Sequence, residues 1–191
     1  LVGHQQMRLF SGDHSVQLLV SGMRLDLGGI AKGYAADEAL KVLRSRGITR
    51  ALVAADGDIR VGEPPPGKPG WRVAIVSPDV PSGSTNQLVW LKNAAVSTSG
   101  DLSQRLEIGG KRYSHIVDPR TGIGLTDHSL VTVIARDSTT ADSLATAVSV
   151  LGPEKGLKLI EGTAGASARI FRQPQDRLES YESKKFQGYL I

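Results

Sequence analysis

Asp26-Leu27-Gly28-Gly29-Ile30-Ala31-Lys32-Gly33-Tyr34-Ala35-Ala36-Asp37 decides how this chain is read. An extended apolar entry ends in a glycine pair, a cation follows within one helical turn, and an alanine-rich amphipathic helix then runs to Gly47, the expected stop. Ala36, Leu40 and Leu43 recur at helical spacing, while Glu38, Lys41 and Arg44 face away. Exposed N–H groups at a helix start, glycines that allow close approach and a nearby lysine together suit an anionic ligand, phosphate above all. The same residues also describe an ordinary tight turn followed by a solvated lysine, and this stretch alone leaves both open.

Outward from it, residues 23–27 read as an extended piece entering the turn, and Ala51-Leu52-Val53-Ala54-Ala55 as a short buried strand, giving a strand–helix–strand unit. Upstream, residues 6–10 and 16–20 form a hairpin. Downstream, Asp56-Gly57-Asp58 is either a hairpin turn or a loop lining the same cleft as the glycine pair. The proline-rich run Glu63-Pro64-Pro65-Pro66-Gly67-Lys68-Pro69-Gly70 is a stiff surface loop inside one domain, because strand patterns resume at residues 71–76.

A second group of residues carries chemistry. Ala94-Ala95-Val96-Ser97-Thr98-Ser99-Gly100-Asp101 places small and hydroxyl-bearing residues at the end of an apolar strand (residues 88–91), either as a ligand-approaching surface or as a polar loop. Residues 106–108 and 111–117 make a hairpin through Gly109-Gly110, leading into His115-Ile116-Val117 and the turn Asp118-Pro119-Arg120-Thr121-Gly122. His115 is either a hydrogen-bonded structural residue or a proton acceptor. A strand over 130–135 precedes a helix over 140–151, with Thr139 or Thr140 as cap and Gly152-Pro153 as stop; a short helix over 154–161 and a strand over 166–171 follow. At about 100° per residue, Leu144, Val148 and Leu151 share one helix face and Asp142, Thr146 and Ser149 the other. Asp142 and Thr146 are either a polar face in water or hard oxygen ligands suited to Mg²⁺, for which one carboxylate suffices when substrate phosphates supply the remaining ligands. The alanines of this helix point to close packing. Residues 176–191 are charged and weakly patterned.

With 191 residues, 40% hydrophobic and 22% charged, the chain has the length and composition of one globular domain. A net charge of +4 suits anionic ligands. The basic residues are scattered, apart from the helix end at Arg44 and Arg46 and the pair Lys184-Lys185, and aromatic content is only 5%, so no nucleic-acid partner is expected. There are no cysteines for disulfides, thiolate metal sites or a thiol nucleophile. No apolar run is long enough to span a bilayer as a helix. Leu1-Val2-Gly3-His4 is neither an initiator nor a signal peptide, and the expectation is a chain that starts inside a longer product or after processing.

Five of these segments, in order and spacing, resemble the FAD:protein FMN transferases of the ApbE family: residues 26–37, the Asp56-Gly57-Asp58 turn, residues 95–101, residues 113–122, and Thr140-Ala141-Asp142-Ser143-Leu144-Ala145-Thr146-Ala147. The resemblance implies an α+β fold in which a largely antiparallel sheet packs with a few helices, a T-fold-like architecture. It covers residues 24–171, most of the chain, and implies that residues 1–191 are one domain, N-terminally incomplete relative to the family, whose upstream segment supplies part of the FAD site. It implies a Mg²⁺-dependent enzyme that splits FAD, releases AMP and attaches FMN through a phosphoester to a Thr or Ser of an acceptor flavoprotein. Carried over by motif, Asp26, Gly28 and Lys32 contact FAD, Ile116 touches the flavin nucleotide through its backbone, Gly29, Asp142 and Thr146 form the metal site, and His115 is the general base. Two departures stand out: Asp56-Gly57 replaces the family's usual Gly-Gly, and Ser114 stands where a second histidine is frequent. Two alternatives remain: a Mg²⁺-dependent FAD pyrophosphatase with water as acceptor, and a non-catalytic flavin-binding protein or inactive fragment. An extracytoplasmic setting, with a membrane anchor outside these residues, is the expected localisation from the resemblance.

Overall fold

Alternation along strands β4 (Asp58–Val61) and β7 (Ala95–Gly100) determines which side chains reach the site. The computed structural model describes residues 3–77, 86–100, 105–174 and 177–191. Among them, six strands form one antiparallel sheet in the order β14 (Glu179–Glu182), β13 (Ser167–Gln173), β12 (His128–Ala135), β7, β4 and β3 (Leu52–Ala55). Since successive side chains point to opposite faces, Val131, Val133 and Ala135 of β12 share one face with Ala95 of β7, whereas Ile134 and Val96 point to the other.

The two faces are covered differently. Helices α1 (Ala31–Ser45) and α2 (Ser138–Gly162) pack on the first, where Ala141, Ala145, Val148 and Ile160 close a core with Val131, Val133, Ala168 and Ile170. On the second, the hairpin of β5 (Trp71–Val76) and β6 (Asn86–Leu91) brings Val73, Ile75, Val89 and Leu91 against Val61, Val96, Ile134 and Phe186. Each buried Val, Leu or Ile contributes about 1.5–3 kcal/mol relative to exposure. The architecture is the α+β arrangement, with a large antiparallel sheet and packed helices, that the sequence predicts.

The two helices cap one another. The Asp142 carboxylate in α2 accepts the Gly33 N–H in the first turn of α1 at 3.0 Å. In return, the Asp37 carboxylate in α1 accepts the Ser138 N–H at 2.9 Å, the Thr139 N–H at 2.8 Å and the Thr139 hydroxyl at 2.7 Å. Arg60 Nε donates to the same carboxylate at 2.9 Å. The residue N-terminal to α2 is Asp137, whose side chain accepts from the Thr140 N–H at 2.8 Å; this cap replaces the expected Thr139 or Thr140. Such contacts satisfy donors that a helix start leaves open. At its other end α1 closes as expected on Gly47 (φ 81), with Gly47 N–H on Arg44 O and Ile48 N–H on Leu43 O. Gly152 (φ 76, ψ 176) breaks α2 before Pro153, as expected from the Gly-Pro pair.

Several expectations need correction. Residues 23–27 form no strand, so α1 is preceded by an irregular run rather than by the first member of a strand–helix–strand unit. β3 is a half-exposed edge strand, not a buried one. Ser97, Thr98, Ser99 and Gly100 do not form a loop after a strand: they lie in β7, between β12 and β4, and Asp101 is outside the described residues. The close packing that the alanines of α2 predict is present: the face that meets the sheet is lined by alanines and Val148, Leu144 is partly buried, Leu151 is 41% exposed, and Asp142 is buried rather than on a face in water. The small side chains allow α2 to lie close to the sheet and to α1, which larger leucines would prevent. Finally, the weakly patterned C-terminus supplies β14 and a fully buried Phe186.

Candidate active site

The glycine pair, α1 and α2 meet the His115 segment across one cleft of about 1010 Å³. Asp26, Gly28, Gly29, Lys32, His115, Ile116 and Thr146 all line it. Asp142, 1% exposed, lies beneath its wall. The eight residues singled out from sequence are therefore gathered in one place, although they span both halves of the chain. Asp56 also lines the cleft, so the Asp56-Gly57-Asp58 segment is both things the sequence left open: the turn of the β3–β4 hairpin, with Asp56 and Gly57 at positive φ, and a cleft loop.

Local hydrogen bonding narrows the role of the glycine turn. Gly28 N–H goes to the Asp26 carboxylate at 2.7 Å, Ile30 N–H and Ala31 N–H to Leu27 O at 3.0 and 2.9 Å, and Gly33 N–H to Asp142. Most donors at this helix start are thus satisfied within the protein, and positive charge for an anion comes chiefly from Lys32. Gly29 is needed for approach: a Cβ there would lie 3.0 Å from Thr146 Cγ2 and 3.1 Å from Thr146 Oγ1. Its main chain therefore rests directly against that hydroxyl, which also stands 3.3 Å from Ser99 Oγ.

Lys32 Nζ lies 3.4 Å from Asp58 Oδ2 and 3.9 Å from Asp142 Oδ1. Asp58, which heads β4, points to the helix face together with Arg60 and is 2% exposed. Burial holds its carboxyl above the usual carboxylate range; a Ser97 hydrogen bond opposes this, the Asp142 charge adds to it, and Lys32 pulls it back. Asp58, Ser97 and Ser99 were not picked out as individual site residues from sequence. The signal available was the period of two in Asp58-Ile59-Arg60-Val61 and in Ser97-Thr98-Ser99, which sends the first and third side chains to the same face.

On the opposite wall, the hairpin of β8 (Arg105–Ile108) and β9 (Lys111–Ser114) leads to His115. His115 is exposed at the rim and also borders a second depression of about 600 Å³ beside Leu106, Ile108 and Ile123. Ile116 is buried: its N–H donates to Ser114 Oγ at 3.1 Å and its carbonyl accepts from Leu125 N–H at 2.9 Å. Ser114 thus fixes the backbone beside His115. The following turn is tied by Asp118, whose carboxylate accepts from Arg120 N–H, Nε and Nη2 at 2.7–3.2 Å.

Comparison with known proteins identifies the family and the fold. The ApbE family model matches residues 1–170. The FAD:protein FMN transferase of Vibrio cholerae is 36% identical over 168 residues, 87% of this chain and 50% of the relative, and that of Treponema pallidum is 37% identical over 176 residues, 87% and 48% respectively. Among solved structures, the flavin transferase ApbE from Vibrio cholerae superposes with a TM-score of 0.85 at 31% identity, covering 98% of this chain and 59% of that one. The ApbE protein of Thermotoga maritima gives 0.83 at 33% identity, covering 99% and 60%. The chain spans about half the length of the curated relatives it matches. By its sequence and by its fold, the chain belongs to the ApbE family.

Proposed function

We infer that these residues form a single flavin transferase domain that cleaves FAD at its pyrophosphate, releases AMP and attaches FMN through a phosphoester to a Thr or Ser of an acceptor flavoprotein, with Mg²⁺ as cofactor. The observation that carries this reading is the convergence of Lys32, Gly29, Thr146 and His115 on one cleft above the buried Asp142. The names of the relatives supply the flavin and the protein acceptor.

The donor set fits a hard cation. Asp142 offers a carboxylate oxygen, Thr146 a hydroxyl and Gly29 its main chain, all oxygen ligands, and no side chain separates Gly29 from Thr146. One protein carboxylate is typical for Mg²⁺ that completes its shell with water and substrate phosphates. Bound there, the ion would offset charge on the transferred phosphoryl group and on departing AMP. Lys32 would neutralise a phosphate oxygen, Asp26 and the Ile116 backbone would position the nucleotide, and His115 would accept the proton of the attacking hydroxyl.

Because His115 is exposed, water reaches it as readily as a side-chain hydroxyl does, which favours hydrolysis of FAD to FMN and AMP as a second reaction of the same cleft. The test is incubation with FAD and Mg²⁺, with and without a Thr-bearing acceptor peptide, following AMP and peptide mass. A peptide heavier by one FMN unit establishes transfer, AMP with an unmodified peptide establishes hydrolysis, and FAD binding without AMP refutes both. An extracytoplasmic setting is proposed for this chain; among the described residues no helix is long and apolar enough to cross a membrane.

A further inference from the structure

Lys32 bridges two carboxylates that are both withdrawn from water, Asp58 (2% exposed) and Asp142 (1% exposed), while its own side chain is 41% exposed. The carboxylates are not equivalent. Asp142 is anchored through Oδ2 on the Gly33 N–H, leaving Oδ1 toward the lysine. Asp58 is held by Ser97, and among the described residues no hydrogen-bond partner reaches its Oδ2, so the lysine at 3.4 Å is the group that answers its charge.

One lysine between two buried anions leaves a net negative cluster, and a divalent ion at Asp142 would reverse that balance. Lys32 and such an ion cannot both take Asp142 Oδ1, since two cations would then share one oxygen at close range. The lysine is the mobile partner: it has a flexible four-carbon stem and sits at the cleft wall, whereas Asp58 is fixed in β4. We propose that Lys32 is the internal counter-ion of the Asp58–Asp142 pair, displaced from Asp142 when a divalent cation binds and kept at the cleft by Asp58, which is thereby a positioning residue for the lysine. The inference rests on the cation site described under the proposed function. It makes cation and anionic substrate bind with positive coupling, because the ion releases a lysine for the phosphates.

The test uses Mn²⁺ as the probe in the absence of nucleotide, its free fraction read by electron paramagnetic resonance. Lys32→Met binds Mn²⁺ more tightly than the unmodified chain, by about tenfold or more. Asp58→Asn weakens binding by about tenfold when Lys32 is present and by less than about threefold in the Lys32→Met background, because its effect runs through the lysine. Equal losses in both backgrounds mean that Asp58 acts on the ion itself and overturn the proposal. A second readout needs no substitution: the Lys32 side-chain NMR resonance moves on adding Mg²⁺ alone and saturates with cation binding. A resonance that stays still while the ion binds also overturns it. If the unmodified chain binds no Mn²⁺ at all, the cation site itself is wrong, and the proposal falls with it.

Discussion

Asp142 Oδ2 accepts the Gly33 N–H at 3.0 Å, so the carboxylate that faces the cleft lysine is also the cap of α1. Its two oxygens have different duties: one fixes the start of the helix that carries Lys32, and the other is directed to that lysine. A change at this residue therefore acts on the fold and on the site through separable atoms.

Asp142→Ala removes both. The Gly33 N–H is left unpaired in a buried position, which costs about 1–3 kcal/mol, and a lower melting temperature accompanies loss of Mg²⁺-dependent turnover. Asp142→Asn retains an amide oxygen for the cap but not the charge. Its melting temperature should stay near that of the unmodified chain while Mn²⁺ binding is lost. Equal destabilisation of the two variants would show that the charge, not the cap, holds the helices together.

Gly33→Ala tests the contact between the helices directly. A Cβ at Gly33 would lie 2.2 Å from Ser138 O and 2.8 Å from Asp142 Cβ. Backbone cannot yield as a flexible side chain does, so α1 must move away from α2. The expected loss is about 1–3 kcal/mol, read by urea unfolding, together with weaker cation binding because Lys32 and Gly29 move with the helix start.

The Asp37 carboxylate accepts from two backbone N–H groups, a hydroxyl and the Arg60 guanidinium. Asp37→Ala leaves the buried Arg60 without this partner and uncaps α2, so the expected cost is about 3–5 kcal/mol by urea unfolding. A loss below about 1 kcal/mol would mean that solvent replaces these contacts.

The sequence reading succeeded where a pattern is local and failed where a partner is distant. The Gly47 stop, the Gly152-Pro153 break and the Asp-Gly hairpin each depend on backbone conformations that one or two residues impose. Placing the site residues in one cleft rested on family resemblance, since no local rule connects Lys32 to Thr146. The alanines of α2 announce its close packing, because a helix pressed against both a sheet and another helix has room mainly for small side chains. Asp137 as a cap was one residue from view, but Asp37 as a second cap comes from 101 residues away. No period within either helix encodes it.

The Asp118–Arg120 pair gives a pH prediction with a definite sign. Hydrogen bonds from the Arg120 guanidinium and backbone hold the Asp118 carboxyl down to about 2. A depressed pKa contributes stability above the unfolded value, and that contribution disappears as pH falls through the folded one. An NMR titration of Asp118 should find its midpoint near 2, and Arg120→Ala should move it up toward the ordinary carboxylate range. Arg120 is exposed and Asp118 half-buried in a surface turn, so the turn, not the global fold, should respond; an unshifted midpoint in the variant would remove Arg120 as the cause.

His115 comes from the segment after β9, whereas Asp26, Gly28 and Lys32 come from the glycine turn and α1, so binding and proton transfer should separate when it is changed. His115→Ala leaves FAD affinity within about threefold and lowers flavin transfer to the acceptor by about 10²–10⁴, the range for loss of a general base. Fluorescence titration of FAD and mass measurement of the acceptor read the two effects independently. Should affinity and transfer fall in parallel, His115 holds the flavin nucleotide, and another group must take the hydroxyl proton. Among the residues lining the cleft, no second histidine is available for that role, so parallel loss would direct the search to the acceptor or to water.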